Sequence, residues 1–181
     1  MVRASLKFRH IKRSGAYYRV ADPDWPDPLD GRPGMASGGR WNPPESFPVV
    51  YLNRSVSLAC LFVVHKLRDQ PYGPEDLDAD SGPILVDVDL SSESFVDVVT
   101  DAGCDAVGLP TSYPVDASGD VIAHQACWPV GQEAWKQGEP GIACRSATRG
   151  ASLSDEELAW FQRGRGLQAD GVERFVDWFF G

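Results

Sequence analysis

Apolar and polar positions change rhythm several times along the chain. Aromatic and branched residues in AYYRVA (16–21) predict a first strand. VVYLN (49–53) predicts a short buried strand, and SVSLACLFVVHKLRDQ (55–70) a helix. Ser55 is placed to cap that helix, and Lys66 and Arg68 lie near its far end, where the dipole favours cations. Its middle is apolar nearly all round, which predicts full burial. PILVDVDLS (83–91) alternates as a strand does, and SESFVDVVTDAG (92–103) reads as a short helix capped by Ser91 or Ser92. VIAHQACWPVGQEAWKQG (121–138) carries a helical pattern that Pro129 can kink and Gly138 can end. GIACRSA (141–147) predicts a strand. In SDEELAWFQRG (154–164), Ser154 stands three positions before Glu157, a capping-box spacing that predicts a helix.

The stretches between these elements are irregular. Residues 22–39 are dominated by Asp, Pro and Gly, and residues 70–83 and 108–120 are also loop-like. Loops of such length inside a domain tend to be functional or mobile. Helices and strands mix without a repeat or a βαβ rhythm, so the expected fold is α+β, a compact mixed sheet with flanking helices. The chain divides into a basic N-terminal segment, 1–15, and one domain, 16–181. That domain includes an apolar helical tail, VERFVDWFFG, expected to dock on its own body rather than on a second copy.

Composition narrows the class. The 181 residues include 6 Trp, 8 Phe and 5 Tyr, enough for a substantial core. No run approaches the ~20 apolar residues of a membrane span, and the basic start lacks a signal-peptide core, so the expectation is a soluble, cytoplasmic protein. A net charge of −9 argues against general nucleic-acid binding, which needs a clustered basic surface. The one basic cluster, Arg3, Lys7, Arg9, His10, Lys12 and Arg13, reads as a solvated face or as a contact for an acidic partner. Cys60, Cys104, Cys127 and Cys144 are too dispersed for a paired zinc signature, so no metal is expected. The acidic loops DPDWPDPLDG and GPEDLDADSG do not have calcium-loop spacing.

The densest chemistry lies in GGRWNPPESFPVVY (38–51). Glycines let a ligand approach backbone, an arginine offers a planar fork for phosphate or carboxylate, and an adjacent aromatic can stack on a ring. Such a set suits a nucleotide. It also suits a tight bend with Trp41 in the core.

GGRWNPPESFPVVYLNRSVSLACLFV resembles the segment that identifies RES-domain proteins, NAD-destroying toxins of bacterial toxin–antitoxin pairs. AYYRVA, with Arg19, resembles the family's opening strand. HQACWPVGQEAWKQGEPGIACRSA resembles its later Gln-containing helix and the strand that ends near a serine, here Ser146. The resemblance spans roughly residues 16–150 and implies an ADP-ribosyltransferase-like fold around an NAD cleft. It implies NAD as substrate with no separate cofactor, and an antitoxin partner of helix-turn-helix type. It places Arg40, Tyr51 and Ser146 in catalysis, and Arg19, Arg40, Trp41, Tyr51 and Gln125 against NAD; His65, the nearest polar side chain on the following helix, is a further catalytic candidate by its chemistry. Each has a plain alternative: Arg19 as an edge-strand charge, Tyr51 as a core aromatic, Ser146 as a strand-end residue.

One position departs from the family. RES chemistry uses a glutamate on the helix after the Tyr-Leu strand, and a count from Tyr51 puts Phe62 in its place, or Val63 with a one-residue shift. Cleaving the nicotinamide–ribose bond builds positive charge on the ribose, which a carboxylate stabilises. The sequence offers Glu45 or Glu133 as an acid from elsewhere, and His65 or His124 as a base. The expected activity is hydrolysis or phosphorolysis of NAD. The alternatives are a catalytically reduced module that binds a nucleotide or a protein partner, and ADP-ribose transfer.

Overall fold

The computed structural model describes residues 6–181. Arg3 of the basic cluster lies outside the described residues. Among the described residues, six strands form one mixed sheet: β1 (His10–Ala21), β2 (Val49–Asn53), β3 (Ile84–Val98), β4 (Gly141–Arg145), β5 (Glu156–Phe161) and β6 (Gly171–Glu173). Their order is β1-β2-β5-β4-β3-β6, and β1 also pairs with β3, so the first five strands close into a circuit. The β3–β4 pairing is parallel; the others are antiparallel. Among the described residues, four α-helices flank the sheet: α1 (Val56–Leu67), α2 (Asp101–Ala106), α3 (His124–Lys136) and α4 (Phe175–Phe179).

Alternation along the strands separates two apolar clusters. Tyr17, Val50, Leu52, Val88, Phe95, Leu158 and Trp160 fill the inside of the circuit. Residues of the opposite face, among them Val49, Ile142, Cys144 and Phe161, pack under α2 and α3. A third cluster joins α1 and α4 to β3 through Ala59, Val63, Leu85, Phe175 and Trp178. The tail thus docks on its own domain, with the Trp178 indole N–H on the Pro83 carbonyl at 2.9 Å.

Several elements follow the sequence closely. The Ser55 hydroxyl caps α1 by accepting the Leu58 N–H at 3.1 Å. Helix α3 runs through Pro129, and Gly138 lies just past its end with a φ of +82°. Other expectations are overturned. Residues 92–98 continue β3 instead of forming a helix: Phe95 and Val96 are fully buried and pair with Ile11 and His10. The next helix begins at Asp101 and is capped by Thr100. Residues 156–161 form β5, not a helix, because this run is sandwiched between β2 and β4 and buries alternate side chains in two cores. Pairing and burial on both sides outweigh the local capping signal. Helix α1 buries one stripe only, Leu58, Ala59 and Val63, while Val64 is exposed.

Strand β1 starts at His10, inside the basic segment. Two of its basic residues are used internally. Arg13 grips Glu156 through two nitrogens at 2.6 and 2.7 Å, and His10 meets Glu139 at 3.0 Å. Lys7, Arg9 and Lys12 remain exposed.

Candidate functional site

Gly38 and Gly39 begin a turn that β2 and α3 hold from opposite sides. Gly38 has a φ of +66°, in the region where a side chain is strained. The Tyr51 hydroxyl accepts the Trp41 N–H at 3.0 Å and donates to Asn42 Oδ1 at 2.7 Å. A Cβ on Gly39 would lie 2.6 Å from that hydroxyl. Asn42 donates in turn to the Phe47 carbonyl at 3.1 Å. From α3, the Trp128 indole N–H reaches the Gly39 carbonyl at 2.9 Å, and Gly131 lies so close to the Trp41 carbonyl that a methyl group there would overlap it. The turn is a rigid pedestal, and Arg40 projects from it.

This geometry corrects two assignments. Trp41 is fully buried, its indole N–H directed at Cys144 Sγ at 3.3 Å, so it fills the core and is not a stacking surface for a ligand. Tyr51 lines the cleft, but its hydroxyl is committed to Trp41 and Asn42. Burial also pushes the phenol well above its usual range, so it is not an acid or base at neutral pH. Its role is to hold Arg40's turn.

Strands β1 and β2 pair at a single position, Tyr18 with Asn53. Beyond it they part, and a cleft of about 620 Å³ opens between Arg19 and Val20 on one side and Tyr51 and Leu52 on the other. Helix α1 supplies Phe62, His65 and Lys66 to its rim, its C-cap residue Arg68 follows, and Trp25 comes from the acidic loop. Arg19 and Arg40 both line this cleft, as the sequence suggested. Arg40 is anchored on the Ile122 carbonyl at 2.8 Å. Arg19 is buried with a weak contact to the Asp30 carbonyl at 3.5 Å, and its Nε has no partner. No carboxylate among the described residues lies within salt-bridge distance of it; Asp30 is taken by Arg32 at 2.7 Å. Desolvation lowers the Arg19 pKa from the ordinary arginine range to about 10. A buried cation with an orphaned N–H is a site awaiting an anion.

Three predicted residues stand elsewhere or act otherwise. Gln125 is exposed at the start of α3 and does not line the cleft; its neighbour His124 does. His65 lines the rim, but its Nδ1 accepts the Arg149 N–H at 3.1 Å. The neutral ring therefore carries its proton on Nε2, and burial together with Arg68 and Lys66 lowers its pKa. It offers a donor to the cleft rather than a base. Ser146 is buried behind the wall, and its hydroxyl donates to Glu157 Oε1 at 2.5 Å.

The acids suggested by sequence do not reach the cleft. Glu45 is exposed at a turn with a φ of +57°. Glu133 lies on α3 beside Lys136, in a separate groove. Phe62 takes its place in the cleft wall, with Lys66 Nζ 5.4 Å from its ring centre. The single carboxylate among the described residues lining the cleft is Glu157 of β5. It sits opposite Asn53 and Cys144 and is held on Oε1 by Ser146 and by Thr148 Oγ1 at 3.1 Å. Desolvation raises its pKa, against the opposing pull of Ser146, Thr148 and Arg40. The capping-box assignment hid this residue. The signal for it is a pair of acids opening an apolar run, EELAWF, in which one acid faces each side of a strand.

A model of the RES domain family matches residues 16–172. The NAD(+) phosphorylase MbcT of Mycobacterium tuberculosis (strain ATCC 25618 / H37Rv) is 32% identical over 111 residues, 60% of this chain and 55% of that protein. MbcT of Mycobacterium bovis (strain ATCC BAA-935 / AF2122/97) gives the same figures. The chain spans about half the length of the curated relatives it matches. In the crystal structure of the M. tuberculosis MbcT–MbcA toxin–antitoxin complex, one chain shares the fold with a TM-score of 0.72. It is 24% identical, and the match covers 95% of this chain and 92% of that one.

Proposed function

Because the chain belongs to the RES domain family, we propose that it consumes NAD, cleaving the bond between nicotinamide and ribose by hydrolysis or phosphorolysis. One observation carries this reading. In a protein of net charge −9, the cleft gathers Arg19, Arg40 and Lys66, with Arg19 buried and unpaired. Such a cleft selects a ligand whose negative charge sits in the middle, as in the pyrophosphate of a dinucleotide. The cleft volume of about 620 Å³ lies in the range of small-molecule and cofactor sites. The cations outnumber the lone carboxylate, which leaves positive charge for a second anion, inorganic phosphate, as the nucleophile. That matches the NAD(+) phosphorylase name of the mycobacterial relatives. The cleft between β1 and β2 is read as ADP-ribosyltransferase-like. The proposed partner is an antitoxin, by analogy with the MbcT–MbcA complex, and of helix-turn-helix type.

Purified protein incubated with NAD is expected to release nicotinamide, faster when phosphate is added. No release at high protein concentration would end this reading. Phe62 in the place of the family glutamate favours a second one, a nucleotide-binding module without turnover. Calorimetry separates the two: tight binding of ADP-ribose without nicotinamide release supports the second. A labelled-NAD transfer assay separates both from ADP-ribose transfer onto a macromolecule.

A further inference from the structure

We infer that Glu157, on β5, is the carboxylate that faces the ribose of the bound dinucleotide, doing the work of the helix-borne glutamate whose place Phe62 fills, and that Ser146 is its positioning residue. The inference rests on the proposed NAD cleavage and specifies which atoms perform it.

Geometry supports it in three steps. Glu157 is the one acid among the described residues lining the cleft, and it shares that cleft with Arg19 and Arg40. Its two protein donors, Ser146 Oγ and Thr148 Oγ1, converge on the same oxygen, Oε1. The other oxygen, Oε2, accepts no hydrogen bond from the described residues and is not among the fully buried unpartnered atoms, so it opens to the cleft. A carboxylate clamped on one oxygen and presented on the other is aimed. Ser146 is itself fixed, because its hydroxyl accepts the Thr148 N–H at 3.1 Å while donating to Glu157.

The chemistry balances without a further reagent. As the ribose C1′–N bond breaks, its electron pair leaves with the pyridinium ring, which departs as neutral nicotinamide. Positive charge builds on the ribose, and the carboxylate stabilises it through Oε2. Water or inorganic phosphate then forms the new C1′–O bond. Water passes its proton to Glu157 and on to solvent; a phosphate dianion attacks without a base. Phe62, on the facing helix, excludes water from the departing ring's side rather than contributing charge.

The test is steady-state nicotinamide release by wild type, Glu157→Gln and Ser146→Ala, alongside ADP-ribose affinity and thermal melts. Glutamine keeps an oxygen acceptor for Ser146 and Thr148. It also removes a charge that burial disfavours. Because the Glu157 pKa is raised, folding loses stability as pH climbs from the ordinary carboxylate range through the folded value, a loss the amide avoids. Glu157→Gln should therefore melt no lower than wild type and bind ADP-ribose within about threefold, while kcat falls at least about a hundredfold. Ser146→Ala should move the acid limb of the kcat–pH profile upward, because its hydrogen bond favours the ionised carboxylate. A role confined to packing would leave that limb in place. If wild type releases nicotinamide and Glu157→Gln keeps pace with it, the inference is overturned while the NAD reading stands. If wild type releases none, both fall.

Discussion

Arg19→Met is expected to raise the melting temperature by a few degrees while weakening ADP-ribose binding by on the order of a hundred- to a thousandfold. These opposite effects share one cause. The guanidinium is buried on β1 with one weak carbonyl contact, a Trp25 ring 5.5 Å away and an Nε without a partner. Lowering its pKa from the ordinary arginine range to about 10 corresponds to about 3 kcal/mol against the charged form. The sign follows from the direction. A base whose folded pKa is depressed costs stability everywhere below that value, and the cost fades only as pH rises above about 10 toward the ordinary arginine range. At neutral pH the folded protein bears all of it. An anion in the cleft offsets the cost, and methionine avoids it by filling a similar volume without charge. Thermal melts with and without ADP-ribose, joined to calorimetry, read both effects. A variant that melts lower yet binds normally would make Arg19 a structural cation.

Gly131→Ala is expected to destabilise the protein by about 3 kcal/mol or more, lowering the melting temperature by roughly 10 °C. The added methyl would overlap the Trp41 carbonyl, a backbone atom that no rotamer change can move aside. Helix α3 would have to lift from the pedestal that carries Arg40. It would also draw the Trp128 indole away from the Gly39 carbonyl. Surviving folded protein should therefore also bind ADP-ribose poorly, because Arg40 is anchored just before the helix, on Ile122. Gly166→Ala is the control: nothing lies near its Cβ position, so it should shift stability by less than about 0.5 kcal/mol. Equal melts for the two variants would show that α3 has room to move.

Local patterns that agree with their tertiary setting were legible in the sequence. Strand β2, the Ser55 cap of α1 and the extent of α3 follow from alternation, capping and a terminal glycine. The motif at residues 38–44 identified the right place in the chain, and Arg19 and Arg40 do line the cleft. Its chemistry was read too literally: Trp41 sits in the core because the turn is clamped from below, a fact set by Gly131 far away in sequence. Strand β5 was illegible for a related reason. Glu156, Glu157, Leu158 and Ala159 have good helical propensity, and only pairing with β2 and β4 makes them a strand. A capping-box spacing that points to a helix conceals Glu157, the one acid among the described residues lining the cleft. The long β3 was cut short because SESF interrupts its apolar alternation, although β1 pairs through that stretch.

A single rung, Tyr18 to Asn53, joins β1 to β2, and its consequence is kinetic. Past that rung, Arg19–Val20 and Tyr51–Leu52 turn facing edges toward the opening instead of toward each other. Main-chain amides on those edges should trade hydrogen for deuterium far sooner than amides in the middle of β5, although both belong to one sheet. Occupancy by a dinucleotide should slow that exchange at the opening and leave the remainder of the sheet unchanged.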